Sequence, residues 1–490
     1  MKLLLKGGIA LAAILGLVVA IVAVRTATYR APGTVDLAEV QLAPAVPVDA
    51  ARAAQHLAAA VSIRTVSHQD PGENDWAEWE RLRGWLRDTY PAIHAATTLE
   101  LVAGHTLVYT WTGSEPTLQP IVLLAHHDVV PVTAGTEGDW SHPPFAGVVA
   151  DGSVWGRGSI DDKSSLVGLF EAADALAASG FRPRRTVIIV SGHDEEASGA
   201  GAAAAAELLK SRGVQPQFVL DEGLAVVADY PLLGRPVALV GIAEKGYGTL
   251  KVTAPAKGGH SSAPPPQTGV ETLARAVLAI TARPFPMHFD GPAAAMVRAL
   301  APQAGTLVRM AVANQWLFEP LLVQQVAATP AGAATLHTTI APTMLRGSPK
   351  ENVLPQDATA WINYRIAPGT TSDEVIERAR LATGDLDVRI EWARPPYEPP
   401  PISSVTSPGY RIIAALAADG GRTPVAPGLV TATTDSRSFA TIADDIYRFQ
   451  PIVASIREFE MIHGTDEHLT LDNLERVIAF YSQLIATAAQ

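Results

Sequence analysis

Five short clusters of acids and imidazoles follow apolar runs along this chain, and their residue types suit a hydrolytic metal site. In IVLLAHHDVVPV, His126 and Asp128 are two apart, so in extended chain they face the same side. One can ligate a metal while the other holds the far ring nitrogen and fixes the tautomer. WGRGSIDDKSS places Asp161 and Asp162 at a helix start, where a carboxylate with two oxygens can bridge two cations. VIIVSGHDEEASG supplies Asp194, Glu195 and Glu196; adjacent glutamates point different ways, so one can bind metal while the other handles protons. FVLDEG adds Asp221 and Glu222, and MIHGTDEHL adds His463 far downstream. Each cluster alone has a plain structural explanation: a surface hydrogen-bonded pair, a helix cap, a solvated helix start, a turn. Together they bring imidazoles and several carboxylates without a thiolate, the ligand set of a two-metal hydrolase. Like charges so close repel strongly without cations.

These clusters need elements that bring them together. Ile121 to Leu124, Thr186 to Val190 and Phe218 to Leu220 read as buried strands. Helical patterns run from about Asp49 to Val61, Trp76 to Leu86, Ser164 to Ala178 and through the Ala-rich 200 to 210. Strand-helix alternation implies an α/β domain with a mainly parallel sheet covered on both faces. Ligands of such sheets bind beyond the C-terminal strand ends, where the clusters fall. Near residue 246 the pattern changes to a smaller α+β unit. It has strands at Gly248 to Ala254 and Thr359 to Ala367, and helices at Val270 to Thr281 and Ser372 to Leu381. Residues 290 to 345 are apolar and contain proline, and their pattern assigns no element.

The bulk composition narrows the class. The 490 residues exceed one compact core. With 48% apolar and 18% charged residues the chain is globular. A net charge of -12 and no basic run argue against a nucleic-acid partner. The chain has no cysteine, which excludes disulfides and thiolate zinc sites. Gly7 to Val24 is an uncharged apolar run between Lys6 and Arg25. It reads as a retained signal anchor ahead of a cleaved signal, with the N-terminus cytoplasmic and the rest outside the cytoplasm. The expected organisation is therefore 1–30 anchor, 31–48 linker, 49–246 and 393–490 catalytic domain, and 247–392 inserted domain.

The motif order resembles the M20 metallopeptidases, and within them the carboxypeptidase S and N-fatty-acyl-amino-acid synthase/hydrolase subgroup. LLAHHDVVPV, WGRGSIDDKSS, SGHDEEASG, LDEG, EKGYG, GHSSAPP, ENVLP, TDSRSF and IHG carry it over nearly the whole chain from about residue 50. The resemblance implies a zinc-peptidase catalytic domain, an inserted lid that serves dimerisation, and two zinc ions replaceable by cobalt or manganese. It implies that His126, Asp161, Glu196, Asp221 and His463 bind metal, with Asp161 bridging both ions, its peptide bond to Asp162 cis, and Glu222 an alternative to Asp221. Asp128 orients His126, and Glu195 is the general base. His260 stabilises the oxyanion. Asn352, Arg365 and Arg437 bind the substrate, which is a small peptide or N-acyl amino acid with a free carboxylate. Lid closure would need hinges near 246 to 249 and 390 to 400, where EKGYG and RPPYEPPP supply glycine and proline.

Overall fold

The run Ile121–Leu124 is buried at all four positions and lies near the middle of a ten-stranded sheet. Each branched side chain so buried contributes about 1.5–3 kcal/mol relative to exposure. The computed structural model describes residues 2–32 and 37–490. The sheet order is Thr98–Val102, Thr106–Trp111, Val187–Ser191, Ile121–Leu124, Phe218–Asp221, Ile446–Arg448, Arg235–Glu244, Val226–Tyr230 and Val453–Ala454, with Val425–Val430 also paired to Arg235–Glu244.

The sheet is mixed, which corrects the expectation of a mainly parallel one. The four strands from Val187–Ser191 to Ile446–Arg448 are mutually parallel. Antiparallel pairs flank them on both sides. Short turns cause the difference: Ala103 and Gly104 take positive φ, as does Gly234, so two tight hairpins add antiparallel strands in stretches to which the sequence pattern assigned no strand. The parallel centre sends its C-terminal strand ends to one edge. His126, Glu195 with Glu196, and Asp221 follow or end three of those strands.

Helices Ala50–Ser62, Lys163–Ala178 and Leu471–Ala488 supply much of the core against this sheet, through Leu57, Val61, Leu166, Phe170, Val477 and Tyr481. Asp49 caps the first, its carboxylate accepting from the Arg52 amide at 3.1 Å.

The chain divides into two units. One comprises Ala31–Ile242, Ser403–Gly428 and Thr434–Gln490; the other comprises Met1–Arg30, Ala243–Ile402 and Leu429–Thr433. The second unit has a four-stranded antiparallel sheet in the order Thr339–Arg346, Asp357–Ile366, Gly246–Pro255, Arg389–Trp392. Helices Gly269–Thr281 and Ser372–Thr383 pack on it through Leu273, Ala276, Ile280, Val375 and Ala379. The region that gave no pattern is helical: Gly291–Leu300, Gly305–Ala313, Gln315–Val326 and Pro330–Ala334 precede the strand Thr339–Arg346.

The N-terminal helix Lys2–Ala27 belongs to this second unit. Its part Lys6–Ala27, with mean hydropathy 2.8, is long and apolar enough by length and composition to cross a membrane. Arg25 Nε donates to Ala313 O at 2.9 Å, and Asn314 Nδ2 reaches Val22 O at 3.4 Å and Thr26 Oγ1 at 3.3 Å. Sequence reading separated the helix from the insert because nothing local couples residues nearly three hundred positions apart.

Candidate metal centre

Asp161 stands between two imidazoles. His126 Nε2 lies 2.9 Å from its Oδ1, and His463 Nε2 lies 3.1 Å from its Oδ2. His463 Nε2 is also 3.0 Å from Glu196 Oε1. His126, Asp161 and Glu196 present ligand atoms within 4.8 Å of one another, close enough to ligate divalent cations. The Asp161–Asp162 peptide is cis, the form the resemblance implied. Burial raises the Asp161 carboxyl, but the hydrogen bonds to His126 and His463 outweigh it and hold the group below the usual carboxylate range. The hydrogen bonds of His463 to Asp161 and to Glu196 raise its imidazole to about 10.

Asp128 does more than orient an imidazole. His126 Nδ1 donates to the Asp128 main-chain oxygen at 3.0 Å, with Oδ1 at 3.4 Å. The Asp128 carboxylate accepts the amides of Glu195 and Glu196, each at 3.1 Å, and the Ser67 hydroxyl at 2.5 Å. One buried residue thus holds the His126 ring through its main-chain oxygen and the backbone of the two glutamates through its carboxylate. Asp194 caps the next helix by accepting from Ala200 and Gly201, both at 2.9 Å, so the DEE triplet splits into one cap and two site carboxylates.

The donor set suits divalent cations. Burial raises Glu195 well above the ordinary glutamate range, with Asp435, Glu196 and Asp128 adding to it and His126 opposing. Burial and the Asp161 charge raise Glu196 to about 7. Burial and the neighbouring acids Asp161, Asp162, Asp221 and Glu195 raise Glu222. Asp435, unnoticed in the sequence because it reads as part of TDSRSF, is buried and raised to about 8, chiefly by desolvation. So many desolvated acids beside two imidazoles call for cationic neutralisation.

Asp221 accepts the amides of Glu222 at 3.0 Å and Ser436 at 2.8 Å. Arg437 donates to Thr434 O at 2.5 Å and Ser198 O at 3.3 Å. A cavity of about 520 Å³ lined by Ser67, His68, Gln69, Val130, Pro131 and Glu196, among others, adjoins the centre. The remaining expected residues lie in the second unit. His260 pairs with Val353 in a two-residue strand, and Ser261 N donates to Asn352 O at 3.1 Å, so His260 and Asn352 are neighbours. The His260 ring is exposed, with Ser262 Oγ 2.8 Å from Nδ1. The Arg365 guanidinium stacks 4.8 Å from the Tyr247 ring centroid.

Residues 122–487 match the family described as Peptidase family M20/M25/M40. The chain belongs to this family. The M20 chain is 34% identical to "Probable carboxypeptidase S-like 2" of Dictyostelium discoideum, over 88% of this chain and 84% of that protein. It is 36% identical to N-fatty-acyl-amino acid synthase/hydrolase PM20D1 of Xenopus tropicalis, over 98% of this chain and 95% of that protein. The fold matches an M20 family metallo-carboxypeptidase from Sulfolobus solfataricus with a TM-score of 0.63 at 15% identity, covering 89% of this chain and 98% of that one. The M20 chain is thus an enzyme of the peptidase and amidohydrolase class.

The M20 centre also depends on Glu467, which sequence reading passed over. Its carboxylate accepts from Arg157 Nη1 at 2.6 Å and from the amides of Gly158, Ile160 and Asp161 at 2.9, 2.9 and 3.1 Å. Glu467 stands four residues after His463, so it ties the segment carrying Asp161 to the segment carrying His463. The available signal was the run of acids in MIHGTDEHL, which reads equally well as a solvated loop. Glu467→Ala leaves Arg157 buried and three amides unpaired. The expected result is a loss of about 3–5 kcal/mol in the urea unfolding free energy, with weaker metal retention. An unchanged unfolding midpoint would show that Glu467 does not hold these two segments together.

Proposed function

We propose that this chain is a two-zinc hydrolase that cleaves an amide or peptide bond next to a free carboxylate, as a carboxypeptidase or N-acyl-amino-acid amidohydrolase. The observation that carries the reading is Asp161, with one imidazole at each oxygen. His126 and Asp161 would hold one cation, and Asp161, Glu196 and His463 the other. The further ligand was expected from Asp221. We keep that assignment, with Glu222 the alternative: each Asp221 oxygen accepts one amide and retains a lone pair for a cation, and His126 acts electrostatically on the same carboxylate. Bound divalent cations, zinc first and cobalt or manganese as substitutes, supply a lowered pKa for water and polarisation of the scissile carbonyl.

The chain's own groups do the rest. A Glu195 carboxylate oxygen takes the proton of the attacking water. The water oxygen bonds to the carbonyl carbon, the C–N bond breaks, and Glu195 returns the proton to the leaving nitrogen. Asp128 holds the Glu195 backbone in place. His260 donates to the oxyanion, and Asn352 with Arg365 engages the substrate's carboxylate and carbonyl. Arg437 is the less suited carboxylate partner, since its guanidinium already serves main-chain oxygens. The helix Lys6–Ala27 would anchor the enzyme, with the catalytic residues outside the cytoplasm.

The test is a screen of N-acyl amino acids and dipeptides against their carboxamide-blocked analogues, with metal content measured alongside. Free carboxylates should be preferred by roughly 100-fold or more, because the blocked analogue forfeits the charge-assisted bond proposed with Arg365. Equal hydrolysis of both sets defeats the carboxylate requirement and favours an aminopeptidase-type enzyme.

A further inference from the structure

The helix Gln315–Val326 spreads its apolar side chains over all sides, among Gln315, Glu319, Gln324 and Gln325, yet Leu322 is its one buried residue. A helix with no polar face is ordinarily covered on most sides. Here Trp316, Leu317 and Leu321 are 56%, 43% and 46% exposed, and Leu307 on the preceding helix is 76% exposed. The single charge on Gln315–Val326, Glu319, is partnered along the helix by Gln315 at 3.3 Å. What covers this face is indicated by its attachment. Ala313 and Asn314, the joint between the two helices, hydrogen-bond the last turns of the N-terminal helix at Arg25, Val22 and Thr26. Tyr29, just beyond that helix, donates to Arg298 O at 3.0 Å.

We infer that the helices Gly305–Ala313 and Gln315–Val326 form a membrane-docking surface that lies in the bilayer interface beside the anchor. The inference rests on the anchor reading above and deepens it, by giving the inserted unit a second, non-spanning contact with lipid. A twelve-residue helix is ~18 Å long against a hydrocarbon core of about 30 Å, so Gln315–Val326 lies in the interface and does not span. The bonds at Val22, Arg25 and Thr26 hold the joint at the end of the anchor, the depth at which Trp and Tyr are stable with one side wet. Trp316 and Tyr29 occupy that level. The exposed leucines then bury their side chains among acyl chains, as on other interfacial helices.

The chain contains no cysteine, so single-cysteine variants report unambiguously. Full-length protein is reconstituted in phosphatidylcholine vesicles with an environment-sensitive fluorophore at Leu317→Cys, Leu321→Cys, Leu15→Cys in the anchor, or Leu381→Cys. Leu381 is 64% exposed on the helix Ser372–Thr383 and serves as the water-facing reference. Spin-labelled phosphatidylcholine should quench the labels at 317, 321 and 15 several-fold more than the label at 381. Quenching at 15 with none at 317 and 321 overturns the docking surface and leaves the anchor standing. No quenching at 15 overturns the anchor and the docking surface with it. Protection of 317 and 321 from a water-soluble quencher without lipid quenching assigns the face to a second copy of the chain and overturns the inference.

Discussion

Glu195→Gln is expected to keep its fold and its metal and to hydrolyse substrate about 100-fold to 10,000-fold more slowly, the range that positioned acid–base catalysis contributes. The substitution conserves shape and leaves the backbone bond from the Glu195 amide to Asp128 untouched. It removes the one group proposed to take the water's proton. Glu196, which lies against His463, stays in place as a ligand candidate. The comparison with Glu196→Gln is therefore diagnostic: that variant should lose metal, whereas Glu195→Gln should not. The base acts deprotonated, so the wild-type rate should fall as pH drops through the Glu195 pKa. A Glu195→Gln enzyme of near-normal kcat, with metal content verified, would transfer the base role to another residue.

Exhaustive chelation should abolish hydrolysis, and zinc should restore it. It should also weaken the fold. Metal that binds only the folded chain stabilises it by about 4 kcal/mol when free metal is roughly 1,000 times its dissociation constant. The stripped protein should acquire a pH dependence of definite sign. Glu196 is raised to about 7 and Asp435 to about 8, in each case first by burial. Groups with raised folded values hold protons more tightly when folded. Their contribution is fully present below the unfolded values near 4.5 and 3.8, and it is lost as pH rises through about 7 to 8. The chelated protein should therefore melt at a lower temperature at pH 8.5 than at pH 6, and zinc should flatten that slope. Those pH values are roughly placed on either side of the transition by the same linkage. Full activity after chelation, with no residual metal, would end the metallohydrolase reading.

Much of the site was legible because its parts are local. Buried apolar runs such as Ile121–Leu124 and Phe218–Asp221 announce strands, and the polar residues directly after them announce a strand-end crevice. The first helix start was legible for the same reason: Asp49 satisfies an amide three positions on. The flanks of the sheet were misjudged because tight hairpins at Ala103–Gly104 and at Gly234 leave only a weak turn signal.

The sequence by itself determined the inventory: which side chains could ligate metal, which could move a proton, and which apolar run could cross a bilayer. Tertiary structure alone decided the partners. Asp128 reaches the amides of Glu195 and Glu196, Glu467 reaches back to Arg157 and Asp161, and Asn314 meets Val22. Each is a hydrogen bond between residues far apart in the chain. Periodicity and capping record only what a residue does within a few positions of itself. A bond across dozens or hundreds of residues has no local pattern and exists only once the core has brought its two ends together.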